Sequence, residues 1–220
     1  MDVQVWVPRK SNDASEGAAL QADSLQGDAL WDELKTEALG CRSCALYTHR
    51  QKVVFGVGSP ASDWLIVGEA PGAEEDRRGE PFVGPAGQLL DAMLHAIGLN
   101  REKVYIANVL KCRPPGNRDP QSEEVATCSA YLDRQIDIIQ PRMILAVGRF
   151  AAQYLLASER SIGALRGRVW TYSRTGASLV VTYHPSYLLR KPVEKVKAWH
   201  DLSLARDAYQ EQVAKVNAAS

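Results

Sequence analysis

Two stretches of this chain, "DWLIVG" (63–68) and "RMILAVG" (142–148), are apolar at almost every position after their first residue, and "SLVVTYHPS" (178–186) opens the same way. A strand with one face in water alternates polar and apolar residues. A strand that is apolar throughout must be buried on both faces. "KVYIANVLKC" (103–112) reads as a fourth strand. Helical sequence separates these runs. "GPAGQLLDAMLHAIGL" turns Leu89, Leu90, Met93, Leu94 and Ile97 to one side and stops at Gly98. "PQSEEVATCSAYLDRQIDII", "RFAAQYLLA" and "PVEKVKAWHDLSLARDAY" supply three more helices. Pro120 stands near the start of the first of these, where the missing N–H costs nothing. Strands alternating with helices predict an α/β fold: a mostly parallel sheet with helices on both faces, a three-layer αβα sandwich.

A chain of 220 residues suits one such domain. The domain is expected to span 28–220. Its first helix, "GDALWDELKTEAL", has Asp28 as N-cap and Trp31, Leu34, Ala38 and Leu39 on one face. Residues 1–27 show no clear periodicity and are expected to form a flexible tail. Within it, "VQVWVPR" places Trp6 between valines. That is either a casual apolar cluster or a docking peptide, loosely resembling the peptides that bind sliding clamps. The N-terminus does not read as a secretory signal, and no apolar run is long enough to span a bilayer. A cytoplasmic protein acting as a monomer is expected. Lys plus Arg equal Asp plus Glu at 26 each, so a nucleic-acid partner would need local basic patches.

In a parallel sheet of this kind, ligands bind beyond the carboxyl ends of the strands. Glu69 follows "DWLIVG", Asn108 lies in "KVYIANVLKC", and His184 lies in "SLVVTYHPS". Each has an ordinary structural reading as a cap or a satisfied core group. Together, a carboxylate, an amide and an imidazole suit a small, flat, polar ligand. The loop "GEAPGAEEDRRGEPFVGPAG" (68–87) holds five glycines and three prolines, but neither a P-loop nor a dinucleotide fingerprint. Its acidic residues would repel phosphate, and Phe82 offers a flat face for a ring.

Cys41 and Cys44 form a C-x-x-C pair, and Cys112 and Cys128 flank one later loop. Four converging thiolates would suit tetrahedral zinc or an iron–sulfur cluster, and the spacing does not choose between them.

"GEAPGAEEDRRGEPFVGPAG", "NVLKCRPPGNRDP" and "HPSYLLR", with four cysteines in this order, closely resemble the iron–sulfur (family 4) uracil-DNA glycosylases over residues 30 to 205. The resemblance implies a uracil-DNA glycosylase-like fold and a [4Fe–4S] cluster on Cys41, Cys44, Cys112 and Cys128. It implies uracil held between the segment from Glu69 through Ala70 to Gly72 and the ring of Phe82. Asn108 would read the base edge, His184 would lie near O2, and Glu75 would stand against C5 to exclude thymine. Related enzymes place an Asp where this chain has Ala70, so Glu69 is the candidate partner of the attacking water. The segment after Asn108 lacks the histidine with which a sister group bonds covalently to DNA. The resemblance therefore implies a monofunctional hydrolase that leaves an abasic site in single- or double-stranded DNA and starts base excision repair. Arg113, Arg118 and Arg190, with Lys111, Arg160, Arg166, Arg168 and Lys191, are the expected DNA-gripping charges, and Leu188 or Leu189 the wedge that holds the base out. The alternative is a zinc-stabilised nucleotide-binding module without glycosylase activity.

Overall fold

The computed structural model describes residues 13–219, with side chains for 27–218. The Trp6 peptide lies outside the described residues. In chain order the elements are α1 (Asp13–Gly40), β1 (Val57–Gly58), β2 (Trp64–Gly68), α2 (Ala73–Arg78), α3 (Pro85–Ala96), β3 (Tyr105–Asn108), α4 (Ser122–Ile139), β4 (Met143–Val147), α5 (Arg149–Leu155), α6 (Ile162–Leu165), β5 (Val169–Thr171), β6 (Ser178–Thr182), α7 (Pro185–Arg190) and α8 (Lys195–Ala219).

The four expected strands are β2, β3, β4 and β6, and all four are parallel. The sheet runs β1-β3-β2-β4-β6-β5, with the short edge strands β1 and β5 antiparallel. Along β2, alternate residues serve opposite faces. Leu65 and Val67 pack with Leu132 and Ile136 of α4 and Ala151 and Leu155 of α5. Trp64 and Ile66 pack with Leu90 and Leu94 of α3 and Ala198 and Leu202 of α8. Burial on both sides is why these strands are apolar at every position, and the αβα sandwich stands as expected.

Two expectations change. The first helix begins at Asp13, so Asp28 lies inside α1 and caps nothing, and residues 13–27 are helical backbone. Leu34 and Ala38 seed that helix by packing with Leu46, Phe55, Leu110 and Tyr131 in a third core cluster. The Ala-, Leu- and Gln-rich segment before them is good helix-forming sequence and continues it. The glycine loop also contains α2, which opens at Gly72 and ends at Gly79 in the left-handed conformation (φ 85°). No helix among the described residues is long and apolar enough to cross a membrane.

After β2 the chain adds β3 on one side and β4 on the other. That reversal opens a crevice at the carboxyl ends of the strands.

Candidate active site

Glu69 and Asn108 are set side by side because β2 and β3 stay paired past their ends. Gly68 is in register with Asn108. The Val109 amide donates to the Gly68 carbonyl and the Leu110 amide to the Glu69 carbonyl, both at 3.0 Å. Asn108 is buried, and its Oδ1 has no hydrogen-bond partner among the described residues. A buried acceptor without a partner is uncommon and asks for a ligand or a water.

The space beside that oxygen exists because residue 68 is glycine. A Cβ there would stand 2.3 Å from Asn108 Oδ1 and 2.7 Å from the Phe82 ring. Phe82 is buried and holds φ at 55°, a conformation that is strained for a side chain of this size. Arg101 secures it. Its guanidinium donates to the Phe82 carbonyl, to the Pro81 carbonyl at 3.1 Å and to Asp91 Oδ1 at 2.7 Å. The Phe82 ring lies 5.5 Å from the His184 ring at 31°. Gly68, Phe82, Asn108 and His184 are thus brought together at the carboxyl ends of the strands.

His184 is the N-cap of α7, and its Nδ1 accepts from the Ser186 amide at 3.2 Å. The Ser186 hydroxyl lies 2.7 Å from the same nitrogen. An Nδ1 that accepts leaves the ring proton on Nε2. Burial pushes the His184 pKa down to about 4, Arg190 pushes the same way, and Glu75 opposes them. The ring is therefore a neutral Nε2–H donor at pH 7. Burial pushes Glu69 the other way, up to about 7, helped by Asp119 and opposed by Arg149. The crevice thus pairs a neutral donor with a carboxylate poised to titrate near neutral pH.

Other expected site residues have different surroundings. Glu75 Oε1 accepts from the amides of Val83 (2.9 Å) and Gly84 (3.1 Å), bracing the loop that carries Phe82. Ala70 packs against the third core cluster, beside the cysteines. The Gly72 carbonyl accepts from the Asp76 amide at 3.0 Å, opening α2.

The expected DNA-gripping residues divide. Arg190 is exposed at the end of α7. Arg113 donates to Asn117 at 2.7 Å within its own loop. Arg118 forks onto the buried carboxylate of Glu124 and also holds the Asp119 carbonyl, so it fixes the start of α4. Arg166 forks onto the buried Asp201. Two expected DNA contacts are buried in this structure. Leu188 is 1% exposed on the inner side of α7, whereas its neighbour Leu189 is 45% exposed. Lys111 is likewise 1% exposed and faces inward. Arg101, Gln135 and the inward Lys111 show only in the structure, because a linear pattern does not tell an inward-facing polar side chain from a surface one.

All four cysteines line one small cavity between α1, the turn at Ala45–Thr48 and α4. Cys112 and Cys128 are buried, and Cys41 and Cys44 half-buried. Arg50 Nη1 donates to Cys112 Sγ at 3.1 Å and the Lys111 amide to Cys128 Sγ at 3.2 Å. Donors aimed at sulfur suit thiolates or cluster sulfur. Among the described residues no three His, Cys, Asp or Glu side chains are grouped as a single metal ion would need.

The chain is similar to known proteins over most of its length. Residues 55–203 match the family model described as the uracil DNA glycosylase superfamily. The type-4 uracil-DNA glycosylase of Archaeoglobus fulgidus is 46% identical over 167 residues, covering 73% of this chain and 84% of the relative. The type-4 enzyme of Sulfurisphaera tokodaii is 45% identical over 168 residues, covering 73% and 76%. That of Thermotoga maritima is 46% identical over 151 residues, covering 68% and 78%.

Proposed function

This chain belongs to the uracil DNA glycosylase superfamily, and on that premise we propose that it hydrolyses the N-glycosidic bond of uracil in DNA to leave an abasic site. The observation that carries this reading is the meeting of Gly68, Phe82, Asn108 and His184 at the strand ends, where the buried Asn108 Oδ1 has no partner among the described residues. The zinc-stabilised binding module is not favoured, since the relatives are named as glycosylases.

The target nucleotide leaves the stack and enters the crevice at the strand ends, at a cost of a few kcal/mol that is smallest at a mismatch. Phe82 lies against the base. Asn108 Oδ1 accepts from N3–H and its NH₂ faces O4. As the C1′–N1 bond breaks, negative charge grows on the uracil ring, and the neutral Nε2–H of His184 donates to O2. A preorganised donor of this type is worth about 3 kcal/mol. Glu69, as a carboxylate, orients the water that adds to the sugar. Glu75 acts against thymine through the loop it braces, by keeping Phe82 in place. Arg190 and Arg113 meet backbone phosphates, and Leu189 takes the wedge position in place of Leu188. All these groups come from one chain, and a monomer suffices.

Cys41, Cys44, Cys112 and Cys128 are proposed to hold a [4Fe–4S] cluster. Such a cluster spreads its ligands over several iron atoms, which suits cysteines that line one cavity without grouping around a single ion. When bound, it supplies a cross-link between the end of α1 and the segment after β3. No step of the hydrolysis passes through it.

The reading is tested by incubating the protein with a uracil-containing duplex and identifying the products by mass. Free uracil and an intact strand with one abasic site are expected. A broken strand, or deaminated base still attached to its sugar, would contradict it.

A further inference from the structure

Lys111 belongs to a basic segment, yet it is buried, and a lysine is almost never fully buried unless partnered. Its Nζ donates to the backbone carbonyl of Asn108 at 2.8 Å and to Gln135 Oε1 at 2.6 Å. Gln135 is itself fully buried, and its Nε2 donates to the Phe55 carbonyl at 3.0 Å and to the Tyr105 hydroxyl at 3.3 Å. The peptide that joins Asn108 to Val109 is therefore held at both ends. Its N–H goes to the Gly68 carbonyl and its C=O accepts from Lys111 Nζ.

This matters because an amide side chain can match uracil or cytosine simply by turning over. Asn108 selects uracil only if its oxygen is kept toward the base, and the side chain can be no better fixed than the peptide that bears it. Burying an ammonium is costly, and a well-packed apolar residue of similar volume is often no less stable, so stability alone does not account for a lysine here.

We propose that Lys111 is a positioning residue for uracil recognition, which pins the Asn108–Val109 peptide from behind so that Asn108 Oδ1 faces the base. The same residue lines the cysteine cavity and gives its amide to Cys128 Sγ. One short segment thus joins base reading to the cysteines, and disturbance of the cavity should reach base selection through it.

The inference rests on the reading that Asn108 faces the base. The test is binding by the full-length holoprotein to three matched duplexes: one with non-cleavable 2′-fluoro-2′-deoxyuridine, one with 2′-deoxycytidine and one with an abasic site. In Lys111→Met the preference for fluorouridine over cytidine should fall about tenfold, the effect of one lost polar contact, while abasic-site affinity stays unchanged. Gln135→Met leaves Lys111 one acceptor and should show a smaller fall in the same direction. It carries the test alone if Lys111→Met does not fold. A parental preference in the folded variants overturns the proposal. So does an equal loss on all three duplexes, or failure of both variants to fold, since either makes the pair a general core brace. Asn108→Asp separates the two levels. If it keeps the parental preference, the reading of Asn108 fails. If it loses that preference while Lys111→Met keeps it, only the role of Lys111 fails.

Discussion

His184 and Glu69 share a crevice, yet burial moves their proton affinities in opposite directions, to about 4 and about 7. With the ring neutral through the working range, the hydrogen bond proposed from His184 to the leaving base would strengthen as charge develops on that base. His184→Ala is expected to slow the chemical step by about 10²-fold with little change in uracil-DNA binding. Single-turnover rates beside binding constants check this, and a loss confined to binding would make His184 a positioning group. Glu69 should set the acid limb of the pH profile. Its carboxylate is lost as pH falls below about 7, so the single-turnover rate should fall about tenfold per unit there, and Glu69→Gln should be slow with no such limb. Stability runs the other way. The folded state holds the Glu69 proton more tightly than the unfolded one does. Its contribution is complete below the unfolded value of 4.5 and is lost as pH rises to about 7. Glu69→Gln should therefore gain more melting temperature over the parent at pH 8 than at pH 4.5. An acid limb near pH 4 alone would return the titration to His184.

At the scale of elements, Glu69, Asn108 and His184 lie at strand ends, and the apolar runs of β2, β3, β4 and β6 made those ends legible. The edge strands β1 and β5 were not, because two or three residues carry no readable pattern. Nor was α7. A six-residue helix has too few positions for its period to separate buried Leu188 from exposed Leu189. Lys111 and Arg113 flank Cys112 and look alike as charges. Only the packing of Gln135 on Phe55 and Tyr105 shows that one of them points inward. Glu75 was read by analogy with thymine exclusion, while its hydrogen bonds to Val83 and Gly84 come from the fold of the loop. The cysteine segments give a prediction at this scale. Cys112→Ala should lower iron content and loosen the Asn108–Cys112 segment, seen as lower melting temperature and weaker DNA binding. Full iron loading with parental DNA binding would remove Cys112 from the ligand set.

For the whole molecule, a net charge of zero means that DNA binding cannot come from a global field. On the proposed reading, local groups such as Arg190 and the residues around Asn108 would carry it, so selectivity for the base should be high relative to general affinity for DNA. The sandwich was readable as a whole because burial on both faces leaves a mark at every strand position. The arrangement inside the crevice was readable only in part, because it depends on contacts between residues far apart in the chain, such as Arg101 with Phe82. The most direct test of the account is the single-turnover rate of the parent and of Asn108→Asp on duplexes that differ only in carrying uracil, cytosine or thymine at one site. The parent should release uracil alone. Asn108→Asp removes the donor to O4 and supplies an acceptor for the cytosine amine, so uracil release should fall strongly and the cytosine-to-uracil ratio should rise. Uracil release by Asn108→Asp at the parental rate, or equal release of all three bases by the parent, would contradict the account.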